Sequence, residues 1–260
     1  MPPIALVRRT SAALQEGLTS HIERVPVDTE LAEQQHEAYC AALVDAGYDL
    51  RYVEDAPHLP DAVYVEDTAV VVDDLAVLSR PGASERRGEV AGTEKLLREA
   101  GLRLHTIEEP GTLDGGDVLQ VGSTVFVGRG GRTNGAGIAQ LRDLLAPLGR
   151  TVVPVRLTEV LHLKSAVTAL PDGTLLVHRD LVEPGALPPA RRVSEEAGCH
   201  VVPLADGTVL ISASAPRTIA DLEDLGFRTR PVPMTEFEKR EGCVTCLSIL
   251  LPDRNRATAD

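Results

Sequence analysis

The chain has 260 residues, 43% hydrophobic and 25% charged, with a net charge of −13 and no tryptophan. That length buries one large core or two small ones. The acidic balance argues against nucleic acid, whose binding needs a basic face, and against an anionic membrane surface, while it suits a cationic small molecule drawn to an acidic mouth.

With aromatics at only 3%, the core has to come from Val, Leu, Ile and Ala. No apolar run approaches the ~20 residues needed to span a bilayer, and the N-terminus lacks a signal peptide's apolar stretch. The four cysteines (Cys40, Cys199, Cys243, Cys246) are too few for a disulfide scaffold in a chain this long. A reduced, cytoplasmic protein is expected.

In chain order, Ile4–Arg8 reads as a short buried strand, and residues 10–27 as a loop without periodicity around Leu18. Asp28 caps a helix to about Ala46, stopped by Gly47. Strands follow at Leu50–Val53, Val63–Val65, Ala69–Val72 and Ala76–Leu78, then a helix from Ser84 to Ala100 that stops at Gly101. Leu102–Ile107 leads to a turn at Asp114-Gly115-Gly116-Asp117, and Val118–Val121 pairs with Thr124–Val127. Asn134 caps a helix with Ile138, Leu141, Leu145 and Leu148 on one face. After Gly149 come strands at Thr151–Val155, Leu161–Leu163, Val167–Leu170 and Leu175–His178, then a helix over 185–197 ending at Gly198. Asp206-Gly207 joins Val201–Leu204 to Val209–Ile211 as a hairpin. A helix over 216–225 ends at Gly226, and strands Arg228–Val232 and Thr245–Leu251 follow. The polar tail 252–260 is expected to fray.

Helix, glycine, strand thus recurs at Gly47, Gly101, Gly149, Gly198 and Gly226. Strands alternating with helices give an α/β class, and the recurrence argues five related units around an axis within one domain, 1–260. Asp114 and His162 each lie 13 residues past their glycine; Asp61, Glu66 and Asp67 lie 14 to 20 past theirs, and Cys246 lies 20 past its own. Equivalent offsets bring side chains to equivalent places. A thiol, a histidine and several acids from four units are therefore expected at one centre.

Each residue has an ordinary explanation when taken alone. A free cysteine is usually a small buried hydrophobe, and a histidine between leucines is usually a bonded core residue. Leu113-Asp114-Gly115-Gly116-Asp117 is also a good turn. Cys243-x-x-Cys246 lacks the second ligand pair a zinc site needs, and it leads into a strand rather than the helix of a thioredoxin-type motif. Together, Cys246 and His162 form the expected unit of covalent catalysis, with Asp114 as the group that fixes the imidazole. The imidazolium is expected to lower the thiol pKa. Asp61, Glu66 and Asp67 need a compensating cation if they line a pocket, and Arg86, Arg87 and Arg132 are the basic counterweights, suited to a carboxylate. A guanidinium amino acid fits such a pocket.

The segments Val65-Glu66-Asp67, Arg80-Pro81-Gly82, Leu113-Asp114-Gly115-Gly116-Asp117-Val118, Arg132-Thr133-Asn134, Leu161-His162-Leu163-Lys164-Ser165 and Thr245-Cys246-Leu247-Ser248 resemble the dimethylarginine dimethylaminohydrolases of the guanidino-group-modifying (amidinotransferase) superfamily. With Asp61 they span residues 61 to 248. The resemblance implies a five-bladed α/β-propeller around a central active-site channel. It also implies hydrolysis of Nω-methylated L-arginine to L-citrulline and a methylamine, with no metal or other cofactor, in a monomer or homodimer. It implies Cys246 as nucleophile, His162 as acid/base and Asp114 as its orienting group. Asp67 would grip the guanidinium, Asp61 and Glu66 would stand near the α-amino group and pocket wall, and Arg86 and Arg132 would hold the α-carboxylate. Leu18 would belong to a lid formed by residues 10–27. Cys243 is an extra thiol outside the motif.

Two alternatives follow. One is another guanidino-modifying hydrolase, such as an arginine deiminase. Against it, the Arg86–Arg132 pair disfavours agmatine, which has no carboxylate, and this chain has no room for a deiminase's added helical segment. The other is a non-catalytic binder of arginine or methylarginine, which has no need of a thiol.

Overall fold

Each structural unit has the same plan: an inner strand, an antiparallel middle strand, and an outer strand parallel to the middle one. The computed structural model describes residues 2–251, so the tail expected at 252–260 lies outside the described residues. The chain enters on a middle strand, β1 (Ile4–Val7), and crosses through helix α1 (Thr29–Asp45) to the outer strand β2 (Asp49–Tyr52). The second unit is β3 (Ala69–Val72), β4 (Leu75–Leu78), α2 (Val90–Glu99) and β5 (Arg103–Thr106). The third is β6 (Val118–Val121), β7 (Thr124–Arg129), α3 (Gly135–Leu145) and β8 (Thr151–Arg156). The fourth opens on a single turn, α4 (Leu163–Ala166), before β9 (Val167–Ala169), β10 (Leu175–Val177) and β11 (Ala190–Arg192). The fifth is β12 (Val201–Pro203), β13 (Thr208–Ser212), α5 (Pro216–Asp224) and β14 (Arg228–Val232). A last turn, α6 (Thr235–Glu238), leads to β15 (Ile249–Leu251). This strand pairs antiparallel with β1 and completes the first sheet, order β15-β1-β2.

The ring therefore closes by pairing the first strand of the chain with its last. The inner strands β3, β6, β9, β12 and β15 contribute residues to one central cavity of about 700 Å³, as expected of a five-unit α/β propeller.

The helix boundaries follow local chemistry. Asp28 accepts a hydrogen bond from the Leu31 N–H at 3.0 Å, and Asn134 one from Gly137 N–H at 2.8 Å, so both act as N-caps. Gly47, Gly101, Gly149 and Gly226 all have positive φ, the left-handed stop that favours glycine.

The fifth expected stop differs. Residues 185–197 form no helix; they hold β11 and part of a 3₁₀ turn at Glu196–Cys199. Pro188 and Pro189 explain this, because adjacent prolines in a helix interior remove donors and clash with the preceding turn. The helix expected from Ser84 begins as a 3₁₀ turn, Ser84–Glu89, before α2. Leu161–Leu163 is not a strand either: His162 is extended and stands at the entry to α4. The strand expected from Thr245 begins only at Ile249, which leaves Cys246 in a turn.

Helices pack their apolar faces on the sheets. On α3, Ile138, Leu141 and Leu145 are buried together with Val125, Val127 and Val152. Truncating the fully buried Leu141 removes packing that the close-packed core cannot refill. Leu141→Ala is expected to lower unfolding free energy by about 2–5 kcal/mol, read as a reduced denaturant midpoint at unchanged slope.

Candidate active site

Four reactive side chains occupy one topological position in four units. Asp67 lies in the turn Val65–Thr68 before β3, and Asp114 just precedes the turn Gly115–Asp117 that enters β6. His162 precedes α4 and β9, and Cys246 lies in the turn before β15. All four are buried. Equal offsets in sequence have become the same end of the ring.

The second glycine of the Asp114 turn makes the approach possible. A Cβ on Gly116 would lie 2.7 Å from His162 Nδ1 and 2.8 Å from Asp67 Oδ1, so any larger residue would push these groups apart. Its N–H instead donates to Asp67 Oδ1 at 2.8 Å.

His162 Nε2 lies 3.0 Å from Asp114 Oδ2. The other Asp114 oxygen accepts from Gly82 N–H at 2.9 Å, and the Asp114 N–H donates to the Thr133 hydroxyl at 3.1 Å. His162 Nδ1 faces Asp67 Oδ1 at 3.8 Å. Asp67 Oδ2 accepts from Arg86 Nη1 at 2.6 Å. Arg86 also forks onto Glu89, with Nε at 3.0 Å and Nη2 at 2.8 Å, and its Nη2 reaches the Asp61 and Tyr64 carbonyls.

Leu18, Asp61, Tyr64, Asp67, Arg86, Arg132, Leu161, His162, Arg240, Glu241, Gly242 and Cys246 enclose a cavity of about 20 Å³. That is room for roughly one water. Its cover is the segment read from sequence as a loop, and this segment is tied down. Both Asp61 carboxylate oxygens accept from the Leu18 N–H at 3.1 Å. Glu241 accepts from the Ser20 and His21 N–H groups, and Arg240 donates to the carbonyls of Gln15 and Val25.

Seven of the nine expected site residues meet on this wall: Leu18, Asp61, Asp67, Arg86, Arg132, His162 and Cys246. Asp114 stands behind His162. Glu66 turns away: it accepts from Lys164 Nζ and from the Thr245 hydroxyl at 2.8 Å, and with these two residues it lines the central cavity instead. The larger cavity is therefore not the one that gathers the reactive groups. Sequence reasoning passed over Tyr64, Glu89, Arg240 and Glu241. The available signal was their placement beside Asp67, Arg86 and Cys246. Tyr64 has a buried hydroxyl without a partner.

Charge sets the protonation states. Burial alone would lower His162, but Asp67, the Asp114 hydrogen bond and Asp117 raise it to about 9, so it is imidazolium at neutral pH. Burial alone would raise Asp67, but His162 and Arg86 hold its carboxyl well below the usual range. Burial raises Glu66 to about 7 against the pull of Lys164.

The Cys246 thiol is pushed well up by its hydrogen bond with Cys243, by burial and by the charges of Cys243, Glu66 and Asp67. This reverses the expectation that the imidazolium would lower it: the hydrogen bond with Cys243 and burial, with the nearby acids behind them, outweigh it. Asp67, Asp114 and His162 offer ligand atoms within 4.8 Å of one another, close enough for a metal ion. Their existing bonds to Arg86, Gly116 and Gly82 already serve those carboxylates.

No protein-family model matches the chain. It is 52% identical over 95% of its length, and 96% of the relative's, to an N(G),N(G)-dimethylarginine dimethylaminohydrolase of Streptomyces coelicolor. Among solved structures it is similar to a dimethylarginine dimethylaminohydrolase, substituted at a histidine, in adduct with S-methyl-L-thiocitrulline (TM-score 0.90, 30% identity, 96% of this chain and 100% of that one). It is also similar to the enzyme of Pseudomonas aeruginosa, substituted from cysteine to serine and complexed with citrulline (TM-score 0.88, 30% identity, 96% and 100% coverage).

The raised His162 has a stability consequence. A folded pKa of about 9 against an ordinary 6.5 means the imidazolium contributes stability below pH 6.5, and this is lost as pH rises through 9. Asp114→Asn removes a raising partner. It is expected to lower the His162 NMR titration midpoint and to flatten the fall in unfolding free energy over that window; an unchanged midpoint would refute the pairing.

Proposed function

The chain belongs to the dimethylarginine dimethylaminohydrolase family, and from that premise we propose that it hydrolyses Nω-methylated L-arginine to L-citrulline and a methylamine through a covalent adduct on Cys246. The observation that carries this reading is the convergence of Cys246, the His162–Asp114 pair and Asp67 on one buried cavity.

In this reading the resting thiol is neutral, held there by its hydrogen bond with Cys243 and by burial, with Glu66 and Asp67 adding to both. A guanidinium arriving against Asp67 adds positive charge, so the thiol gives up its proton to solvent and the sulfur attacks the carbon beside it as thiolate. The S–C bond forms and a tetrahedral adduct results. His162, already imidazolium, gives its proton to the departing amine as the C–N bond breaks. The neutral ring then takes a proton from water, whose oxygen attacks the thiouronium carbon. The C–S bond breaks, and citrulline leaves. Asp114 holds the ring in place throughout.

Arg132 and Arg86 are the cations for the α-carboxylate. Arg132 makes only a 3.9 Å contact with Asp114, whereas Arg86 has to release part of its bonding to Asp67 or Glu89 to take part. Asp61 is the acid for the α-amino group, and it meets that group only by letting go of the Leu18 N–H. Glu66 acts from behind the wall through its charge on Cys246. A cavity the size of one water cannot hold a methylarginine, so the segment 10–27 has to lift as a lid. Its clamps, Asp61, Arg240 and Glu241, are the groups that release it.

Cys246→Ser is expected to abolish citrulline formation from asymmetric dimethylarginine. His162→Asn is expected to cost roughly 10²–10⁴-fold in kcat, the usual worth of positioned acid–base help. Parallel assays with unmethylated arginine give the substrate range: dimethylarginine is expected to have the higher kcat/KM, and the reverse order favours a deiminase. Near-native turnover by Cys246→Ser would refute the mechanism.

A further inference from the structure

Cys243 neither lines the substrate chamber nor moves a proton in the mechanism, yet its sulfur lies 3.4 Å from that of Cys246. The two residues close a tight turn. Cys246 N–H donates to the Cys243 carbonyl at 3.1 Å, and Cys243 N–H donates to the Cys246 sulfur at 3.4 Å. A disulfide needs about 2.05 Å between sulfurs, so the backbone already holds the two within a small rotation of bonding. We propose that Cys243 and Cys246 are a modification site: a peroxide converts them to an intramolecular disulfide that caps the sulfur facing the substrate cavity, and a thiol reductant restores it.

The surroundings give the two sulfurs different parts. Cys246 lines the closed cavity, whose space for roughly one water holds no amino acid. Cys243 lines neither cavity and faces the other way, toward the Thr245 hydroxyl at 3.3 Å and the His200 ring. His200 stands just before β12, the counterpart in the fifth unit of the positions held by Asp67, Asp114 and His162. Burial opposes its charge, but the Cys199 and Cys243 sulfurs raise it well above its ordinary value. The shared hydrogen bond with Cys246, against burial and aided by His200 and Thr245, lowers the Cys243 thiol well below its ordinary value. Cys246, which lines the chamber, is the sulfur a peroxide meets first, and Cys243, which does not, is the resolving sulfur.

The chemistry balances. The Cys246 sulfur attacks one peroxide oxygen, an S–O bond forms, the O–O bond breaks, and the leaving hydroxide takes the Cys246 proton to become water. The Cys243 sulfur attacks the resulting sulfenic sulfur, the S–S bond forms, the S–O bond breaks, and the departing hydroxide takes the Cys243 proton to leave as water. Two thiols are oxidised and one peroxide is reduced. Dithiothreitol reverses the change by exchange.

The loss of activity rests on reading Cys246 as the nucleophile, whereas the bond itself does not. The test treats the full chain with hydrogen peroxide. It then follows dimethylarginine hydrolysis and, after iodoacetamide and digestion, the masses of the peptide carrying both cysteines. The expected result is a peptide lighter by two hydrogens and unalkylated at both sulfurs, with activity down on the order of tenfold and recovered by dithiothreitol. Cys243→Ser is expected to turn over substrate but to lose activity irreversibly, with Cys246 driven to sulfinic acid. Alkylatable Cys243 in inactivated wild-type protein, or full dithiothreitol recovery of the Cys243→Ser variant after the same exposure, would overturn the proposal. A formed disulfide with unchanged turnover would refute Cys246 as nucleophile and leave the sulfur pair standing.

Discussion

A line of alternating buried charges, Glu89, Arg86, Asp67, His162 and Asp114, runs through the heart of this protein. Removing one member would leave an uncompensated charge away from water, typically a loss of about 3–5 kcal/mol. The surrounding structure completes what the charges leave unpaired. Gly116 N–H and Gly82 N–H cap the carboxylates, and the carbonyls of Asp61 and Tyr64 take the Arg86 edge. Close turns and small residues at the entries to the inner strands are the steric condition for that line. The five-unit ring is what brings its members together from separate parts of the sequence.

The same charges bear on the sulfur that the proposed reading makes the nucleophile. Cys246 is kept protonated by its hydrogen bond with Cys243, by burial and by the acids Glu66 and Asp67, and His162 sits among acids that keep it charged. One electrostatic environment serves opposite ends on two neighbouring groups, because the thiol gains a negative charge on losing its proton and the imidazolium loses a positive one. The Glu66–Lys164 pair and Thr245 line the 700 Å³ central cavity, and none of them lines the small chamber. The wide channel and the small reactive chamber are thus separate spaces.

Much of this was legible before any coordinates. Glycines at 47, 101, 149 and 226 mark helix ends because a left-handed stop has a local chemical signature. Offsets from those glycines placed Asp114 and His162 in equivalent positions because the repeat is a physical unit. The fourth unit departs from the expected plan: the helix expected over 185–197 does not form, because Pro188 and Pro189 oppose it. The turn residence of Cys246 and His162 was hidden because apolar neighbours at a strand entry look like the strand itself. The direction of Glu66 was also hidden. Adjacent acids in a tight turn point to different faces, and only the fold shows which face meets Lys164. Arg86 was legible as a cation but not as one already committed to Asp67 and Glu89.

The convergence on one sulfur is tested most directly by stopping turnover with acid and weighing the protein. Incubation with asymmetric dimethylarginine followed by rapid quench should yield a covalent amidino adduct, and digestion should place it on the peptide at Cys246. Citrulline release with no adduct at that sulfur at any quench time, or an adduct on Cys40, Cys199 or Cys243 alone, would contradict it.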